Sequence, residues 1–493
     1  MATDQEIPVN QDTEFETVIG LEVHAQLLTQ SKAFAPVSIA FGNPPNTNIT
    51  PLCIGHPGTL PVLNENLVRY AIRIGLATSC RIAEKSIFAR KNYFYPDLPK
   101  GYQISQFETP ICYNGHIDIT LDDGTIKRIR IKRIHMEEDA GKSIHDQDPY
   151  NTLVDLNRAG TPLVEIVTEP DISSPREAYA YLTKIRQLVQ YLDICDGNME
   201  EGSLRCDANI SIRPVGQKEL GTRTELKNMN SFRNVERALT YEIERQKHVV
   251  KNGGTIVQQT LLWDPNKMET RQMRSKEEAH DYRYFPEPDL PPVFVTREFL
   301  EEVKKELPEL PSDRRDRFVN ELKLPEPDAS ILTDDRGIAD YFETALANCE
   351  PGSAKSVANL ILSEVRRVLN ESGQDISAFS IGPERLAGLV LLKDSDKISS
   401  SAMQTIFNAM LGSEKSADEI AAEKNLLQVS DSGFLQPIVD AVIADNPDEA
   451  ARFREGKDGL IGFFVGQVMR QSKGKANPQM VKDMLISRLK SSS

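Results

Sequence analysis

Residues 15–26 read FETVIGLEVHAQ, and inside this run Glu22 and His24 stand two apart among Val18, Leu21 and Val23. Residues i and i+2 of a β-strand point to one face, so a single strand here presents a carboxylate beside an imidazole. Further carboxylates recur in strand-like surroundings. HMEEDAGK at 135–142 carries Glu137, Glu138 and Asp139, and VDLNRAGTPLVEIVTEPD at 154–171 carries Glu165. In RCDANIS, Arg205, Asp207 and Asn209 share a face by the same period, as do Glu225 and Lys227 in TELKN. Carboxylates gathered in this way repel one another and resist burial unless a cation neutralises them. Mg2+ prefers carboxylate oxygens and keeps water and phosphate oxygens as its other ligands. A nucleotide–Mg2+ site is one physical solution, and a set of unrelated surface charges is the other. EVH alone is a short pattern, compatible with two polar groups on the wet face of a strand.

The common nucleotide frameworks are missing. No G-x-x-x-x-G-K-[ST] loop, G-x-G-x-x-G fingerprint, kinase HRD/DFG set or G-x-S-x-G elbow occurs. His56 in GHPG and the other histidines lack zinc-like spacing and read as structural. Six cysteines in 493 residues form no C-x-x-C pair and no disulfide framework, which points to a reducing, cytoplasmic setting. The opening MATDQEIPVN has no apolar core of a signal peptide, and no run of about 18 apolar residues suggests a membrane span.

These groups need elements to position them. The length allows two to four domains. Residues 15–295 mix strand-like runs with a few helices. Alternation at Ile117, Ile119 and Leu121, a turn at Asp122–Gly124, and renewed alternation at Ile126, Ile129 and Ile131 predict a hairpin. Its return strand interleaves Lys127, Arg128, Arg130, Lys132 and Arg133 with isoleucines, giving either a solvated face or a surface for phosphates. Ser174, Pro175 and Glu177 predict a capped helix start, followed by an apolar stripe from Ala178 to Leu192. A second helix is expected over residues 231–251, stopped by Gly253–Gly254. FPEPDLPPVFVT at 285–296 breaks the pattern, and helical segments follow to about Leu411. A polar stretch, GSEKSADEI, then opens a last helical segment. The net charge of −15 argues against a generally adhesive nucleic-acid binder. Residues 451–493 nevertheless carry +6, so the remainder carries −21, and a basic tail on an acidic body suits tethering an RNA at one end.

Long motifs carry a resemblance. VIGLEVHAQL, PGTLPVLN, ARKNYFYPDLPKGYQISQ, HMEEDAGKS, DLNRAGTPLVEIVTEPD, MEEGSLRCDANIS, TRTELKNMNSFRNVERAL, ETRQMRSKEEAHDYRYFPEPDLPP and GFFVGQVMRQSKGKANP resemble the GatB family, the B subunits of the tRNA-dependent amidotransferases, in that family's order. The resemblance implies an α+β chain in three parts: a mixed α/β, kinase-like catalytic cradle over 1–295, an all-helical domain over 296–412 and a small helical tail over 413–493. It implies a heterotrimer in which the other two members are an amidase (the A subunit) and a small protein (the C subunit). The implied substrates are ATP and mischarged Glu-tRNA(Gln) or Asp-tRNA(Asn), with Mg2+ as cofactor and neither membrane nor DNA involved. The metal ligands it implies are Glu22, His24 and Glu137. Glu137, Glu165, Asp207 and Glu225 are candidate catalytic groups, and Arg90, Lys91 and Lys227 candidate cofactor-binding groups. Tyr93 and Tyr95 could stack on a base or ribose, or be core aromatics. A small-molecule carboxylate–amine ligase and a non-catalytic tRNA-binding scaffold are the rival readings; tRNA dependence of ATP hydrolysis separates the first. The second leaves the clustered carboxylates without a purpose.

One family feature is absent. Many members carry four cysteines at zinc-like spacing; here Ala35, Val37 and Thr50 stand at three of those positions and Cys53 alone remains. No structural zinc is expected.

Overall fold

The computed structural model describes residues 10–145, 147–273, 282–428, 432–472 and 476–491. The chain divides into two compact units, Met1–Leu310 and Pro311–Ser493.

The first unit is built on a nine-stranded sheet. Its strand order is Glu269–Gln272, Thr260–Asp264, Thr224–Lys227, Leu204–Pro214, Phe15–Gln26, Pro162–Thr168, Ile126–Glu138, Cys112–Thr120 and Arg81–Ile82. Neighbours are antiparallel except the Thr224–Lys227 and Thr260–Asp264 pair, which is parallel. The long strands alternate cleanly. Leu21, Val23 and Ala25 are fully buried on one face, and Glu22, His24 and Gln26 stand on the other. Helices Glu65–Ala77, Pro175–Tyr191 and Phe232–Lys251 bury their apolar stripes in the same core as the apolar face. Burial of these side chains, at about 1.5–3 kcal/mol each, is what holds the helices in place.

The expected hairpin forms between Cys112–Thr120 and Ile126–Glu138, with Gly124 in the left-handed region its turn requires. Both expected helices form as well. Ser174 accepts from the Glu177 backbone, and the Glu177 carboxylate accepts at 2.7 Å from the Ser173 backbone, one residue earlier than in a standard capping box.

Over the polar face lies a three-stranded sheet ordered Arg283–Pro286, Ala89–Asn92, Tyr102–Ser105. The proline-rich stretch does not end the first unit. Helix Arg297–Lys305 places Phe299, Leu300 and Val303 against the first core, while Glu302 and Glu306 pair with Arg69 on helix Glu65–Ala77. The compact unit therefore reaches Leu310 rather than stopping at 295.

The second unit is helical and has two apolar cores. One gathers residues from Phe318 to Ala421 and the other residues from Leu435 to Leu489. Helix Ala417–Glu423, which opens with a capping box at Ser416 and Glu419, buries Ala417, Ile420 and Ala421 in the earlier core. Among the described residues, no helix is long and apolar enough to cross a membrane.

Candidate functional site

The polar face of the large sheet brings together groups that are far apart in sequence. Strand register does this. His24 lies opposite Glu165 on one side and Arg205 on the other, and Glu165 lies opposite His135. His24 Nε2 is 3.3 Å from Glu165 Oε2, and His135 Nε2 is 3.4 Å from Glu165 Oε2 and 3.1 Å from Glu137 Oε1. One ligand atom from each of His24, Glu137 and Glu165 falls within 4.8 Å of the other two.

An irregularity in the sheet sets this face. Along Ile126–Glu138, Ile129 and Ile131 point into the core, and strict alternation would send Arg133, His135 and Glu137 after them. Instead the register against Pro162–Thr168 slips: Val167 pairs with Arg133, but Thr168 pairs with Ile131. Lys132 is the extra residue. The irregularity continues into the neighbouring strand, where Asn114 has φ +53° and Gly115 packs beside Cys80 and Thr78. The β-bulge exchanges the faces. Ile134 and Met136 take over the core, and Arg133, His135 and Glu137 turn to the site.

Glu137 is buried and held from the roof. It accepts from Ser105 Oγ at 2.5 Å and from Gln103 Nε2 at 3.0 Å, and Lys91 Nζ stands 3.9 Å away. Burial opposes the Lys91 charge, but Glu137 outweighs it and the ammonium is held above its usual range. Burial also opposes charge on His135, yet Glu165 and Glu137 push its imidazolium up to about 9. His24 is raised too: burial works against it and the Glu165 carboxylate wins. Glu165 goes well below the ordinary carboxylate range, because His135 and His24 overcome the cost of burial. Glu22 moves the other way, raised by burial and then by the Glu165 charge.

The residues named from sequence are distributed as follows. His24, Glu137 and Glu165 form the three-donor group. Glu22 is adjacent to it but outside: it faces Val167, one row from Glu165, and accepts from Asn209 Nδ2 at 3.0 Å. Asp207 lies directly opposite Glu22, and Lys227 Nζ bridges Asp207 at 2.5 Å and Glu225 at 3.0 Å. Lys91 faces the group, whereas Arg90, next on the strand, turns away. Its guanidinium is taken by Glu287 at 2.7 Å and Asp289 at 2.9 Å and lies over the Tyr102 ring. Tyr93 donates to Gln103 at 3.1 Å and its ring meets those of Tyr95 and Tyr282. The basic return strand is largely neutralised: Lys127 pairs with Glu177, Arg128 with Asp118 and Arg130 with Asp171. His135, Gln103 and Ser105 escaped sequence reasoning. His135 sits in the same motif as Glu137, but only the bulge shows that they share a face. Where the family's cysteines would be, buried Lys32 Nζ lies 3.4 Å from Cys53 Sγ and 3.2 Å from the Leu156 carbonyl.

Two carboxylates and an imidazole suit a divalent cation. One ligand atom from each lies within 4.8 Å of the others, close enough together for a single Mg2+ ion with carboxylate ligands to be shared among them. The donor set lies in a domain that gathers candidate cation ligands beside other charged groups on one sheet face. Residues 17–301, which contain every one of these donors, match the GatB/GatE catalytic domain, and residues 340–489 match the GatB domain. The chain is 56% identical over 475 residues to the B subunit of the aspartyl/glutamyl-tRNA(Asn/Gln) amidotransferase of Syntrophotalea carbinolica, covering 96% of this chain and 98% of that protein. It is 57% identical to the protein of the same name from Chlorobium limicola, over 96% of this chain and 99% of that protein. The Salinibacter ruber protein of that name is 54% identical over 492 residues, covering 96% and 97%. The chain belongs to the GatB family.

Proposed function

We propose that this chain is the B subunit of a glutamine-hydrolysing, tRNA-dependent amidotransferase. Its substrates are Glu-tRNA(Gln), Asp-tRNA(Asn) or both. The observation that carries this reading is identity above 50% over nearly the full length of relatives bearing that name. The sheet-face site supports it chemically.

A side-chain carboxylate is a poor electrophile, and phosphorylation supplies the missing leaving group. The carboxylate oxygen attacks the γ-phosphorus of ATP and ADP departs. Ammonia then attacks the acyl carbon, and phosphate leaves with the transferred oxygen. Phosphoryl transfer of this kind depends on positioning and on compensation of charge on the phosphate oxygens. His24, Glu137 and Glu165 would hold the Mg2+ ion, with Glu22 next to them. When bound, the ion polarises phosphoryl oxygens. Ser105, Gln103 and Lys91 fix the Glu137 carboxylate in its orientation. Lys227 holds Asp207 on the adjoining strand, and Arg205 holds Asp139 just beyond the end of strand Ile126–Glu138. The first unit thus acts as a kinase-like cradle. Ammonia comes from glutamine hydrolysed by the amidase of the complex, its A subunit, and the small C subunit completes a cytoplasmic heterotrimer. The basic end of the chain contacts the tRNA body.

The purified complex should convert Glu-tRNA(Gln) to Gln-tRNA(Gln) only when both glutamine and ATP are supplied, with ATP hydrolysis rising on addition of charged tRNA. ATP turnover indifferent to tRNA would point instead to a small-molecule ligase.

A further inference from the structure

Four of the basic residues on strand Ile126–Glu138 read alike in sequence with Arg133, but the structure separates them. Lys127, Arg128 and Arg130 precede the bulge and each pairs with a carboxylate. Lys132 is the exposed extra residue of the bulge itself. Arg133 follows it. The bulge turns Arg133 onto the face of His135 and Glu137, about 7 Å along the strand from His135. Across the sheet its row runs through Val167 to Glu22 and Asp207. Bulges beside active sites commonly re-aim a side chain, and here the side chain re-aimed is a guanidinium.

The other cations of this face are committed. Lys91 faces Glu137, Lys227 bridges Asp207 and Glu225, and Arg205 binds Asp139 at 2.7 Å. Among the described residues, no carboxylate lies within ion-pair distance of Arg133, and its Nε is buried without a hydrogen-bond partner. A partly buried guanidinium (intermediate exposure) with an unmet donor is costly unless an anion completes it. Val167, the residue between Glu22 and Arg133, is apolar and supplies no such anion. Beside Glu22, Glu137, Glu165, Asp207 and Glu225, an uncommitted guanidinium adds to the charge that a bound metal ion would offer a polyphosphate.

We propose that Arg133 binds the phosphoryl oxygens of the nucleotide, using the planar fork that matches phosphate geometry. This rests on the ATP-dependent reading above. Arg133 is then a binding residue for ATP, lying on the far side of Val167 from Glu22.

The test uses the assembled amidotransferase carrying Arg133→Gln or Arg133→Lys. Equilibrium binding of a non-hydrolysable ATP analogue with Mg2+ is measured alongside KM for ATP and for charged tRNA. Loss of a charge-assisted contact predicts analogue affinity about 10- to 100-fold weaker for R133Q, with a smaller loss for R133K. KM for ATP should rise in parallel while KM for charged tRNA stays near wild type. Should R133Q fold poorly, R133K carries the test, because it keeps the charge and loses only the fork. Wild-type analogue affinity in a folded variant would overturn the assignment. So would a defect confined to KM for charged tRNA, which would give the guanidinium to the acceptor end. A wild-type complex that binds no nucleotide would instead overturn the functional reading on which the assignment rests.

Discussion

His24 Nε2 and Glu165 Oε2 lie 3.3 Å apart, although they are far apart in sequence, because their Cα atoms face each other across an antiparallel strand pair. Everything else at the site is arranged around this contact. His135 reaches the same carboxylate from the next strand over, and Glu137 joins through His135. The consequence is a patch in which two carboxylates and two imidazoles lie within ion-pair distance of one another.

Gly115 pairs with Ile131 immediately before the bulge and has no room for a side chain. A Cβ there would sit 2.6 Å from the Thr78 carbonyl and would also collide with Cys80 Sγ. Gly115→Ala is expected to destabilise the first unit by about 1–3 kcal/mol, the usual cost of overpacking. Thermal or denaturant unfolding of the variant checks this. Nucleotide binding should weaken with it, since Arg133, His135 and Glu137 owe their direction to the same bulge.

Much of the scaffold was legible in the residues. Period-2 spacing placed Glu22 with His24, Arg205 with Asp207 and Asn209, and Glu225 with Lys227, and the structure has each set on one face. Ser174 and Ser231 marked helix starts correctly. What stayed hidden was non-local. Alternation alone sends Arg133, His135 and Glu137 into the core, and only strand register reveals the slip at Lys132. Arg90 and Lys91 are adjacent in a basic motif, and pleating sends them to opposite sides, one to Glu287 and one to Glu137. The first compact unit runs past the prolines because an amphipathic helix, Arg297–Lys305, still finds its apolar partner there.

Glu177 ties helix Pro175–Tyr191 to the basic strand. Burial pushes its carboxyl up, but Lys127 at 2.7 Å and the Ser173 hydrogen bonds bring it below the ordinary value. A depressed folded-state pKa contributes stability above the unfolded value, and that contribution disappears as pH falls through the folded value. Glu177→Gln should therefore cost about 2 kcal/mol at pH 7. The difference from wild type should shrink below about pH 4. Urea unfolding of both proteins at several pH values measures it.

Zinc should be absent from the purified protein at stoichiometric level. Three of the four thiolate positions are Ala35, Val37 and Thr50, and the Lys32 ammonium stands 3.4 Å from the remaining Cys53 sulfur. The buried Lys32 amine already occupies the neighbourhood a zinc ion would need. Elemental analysis finding about one zinc per chain would contradict this.

The basic end of the chain should set tRNA affinity rather than chemistry. Deletion is best begun at residue 432, because helix Ala417–Glu423 buries its apolar side in the preceding core. The segment removed carries its own core and a net positive charge after residue 451; Lys473 and Lys475, part of that charge, lie outside the described residues. KM for charged tRNA should rise about tenfold or more, and its dependence on salt should flatten, as expected when phosphate contacts are lost. Steady-state kinetics at three or four salt concentrations measure both.

The central claim is that His24, Glu137 and Glu165 together serve ATP-dependent activation of the aminoacyl carboxylate. Its most direct test is tRNA-stimulated ATP hydrolysis by complexes carrying His24→Ala, Glu137→Gln or Glu165→Gln. Each should lose about 10²- to 10³-fold in rate, the usual effect of removing one transition-state-stabilising group, while glutamine hydrolysis by the partner amidase survives in part. Wild-type rates of tRNA-stimulated ATP hydrolysis in all three variants would contradict the account.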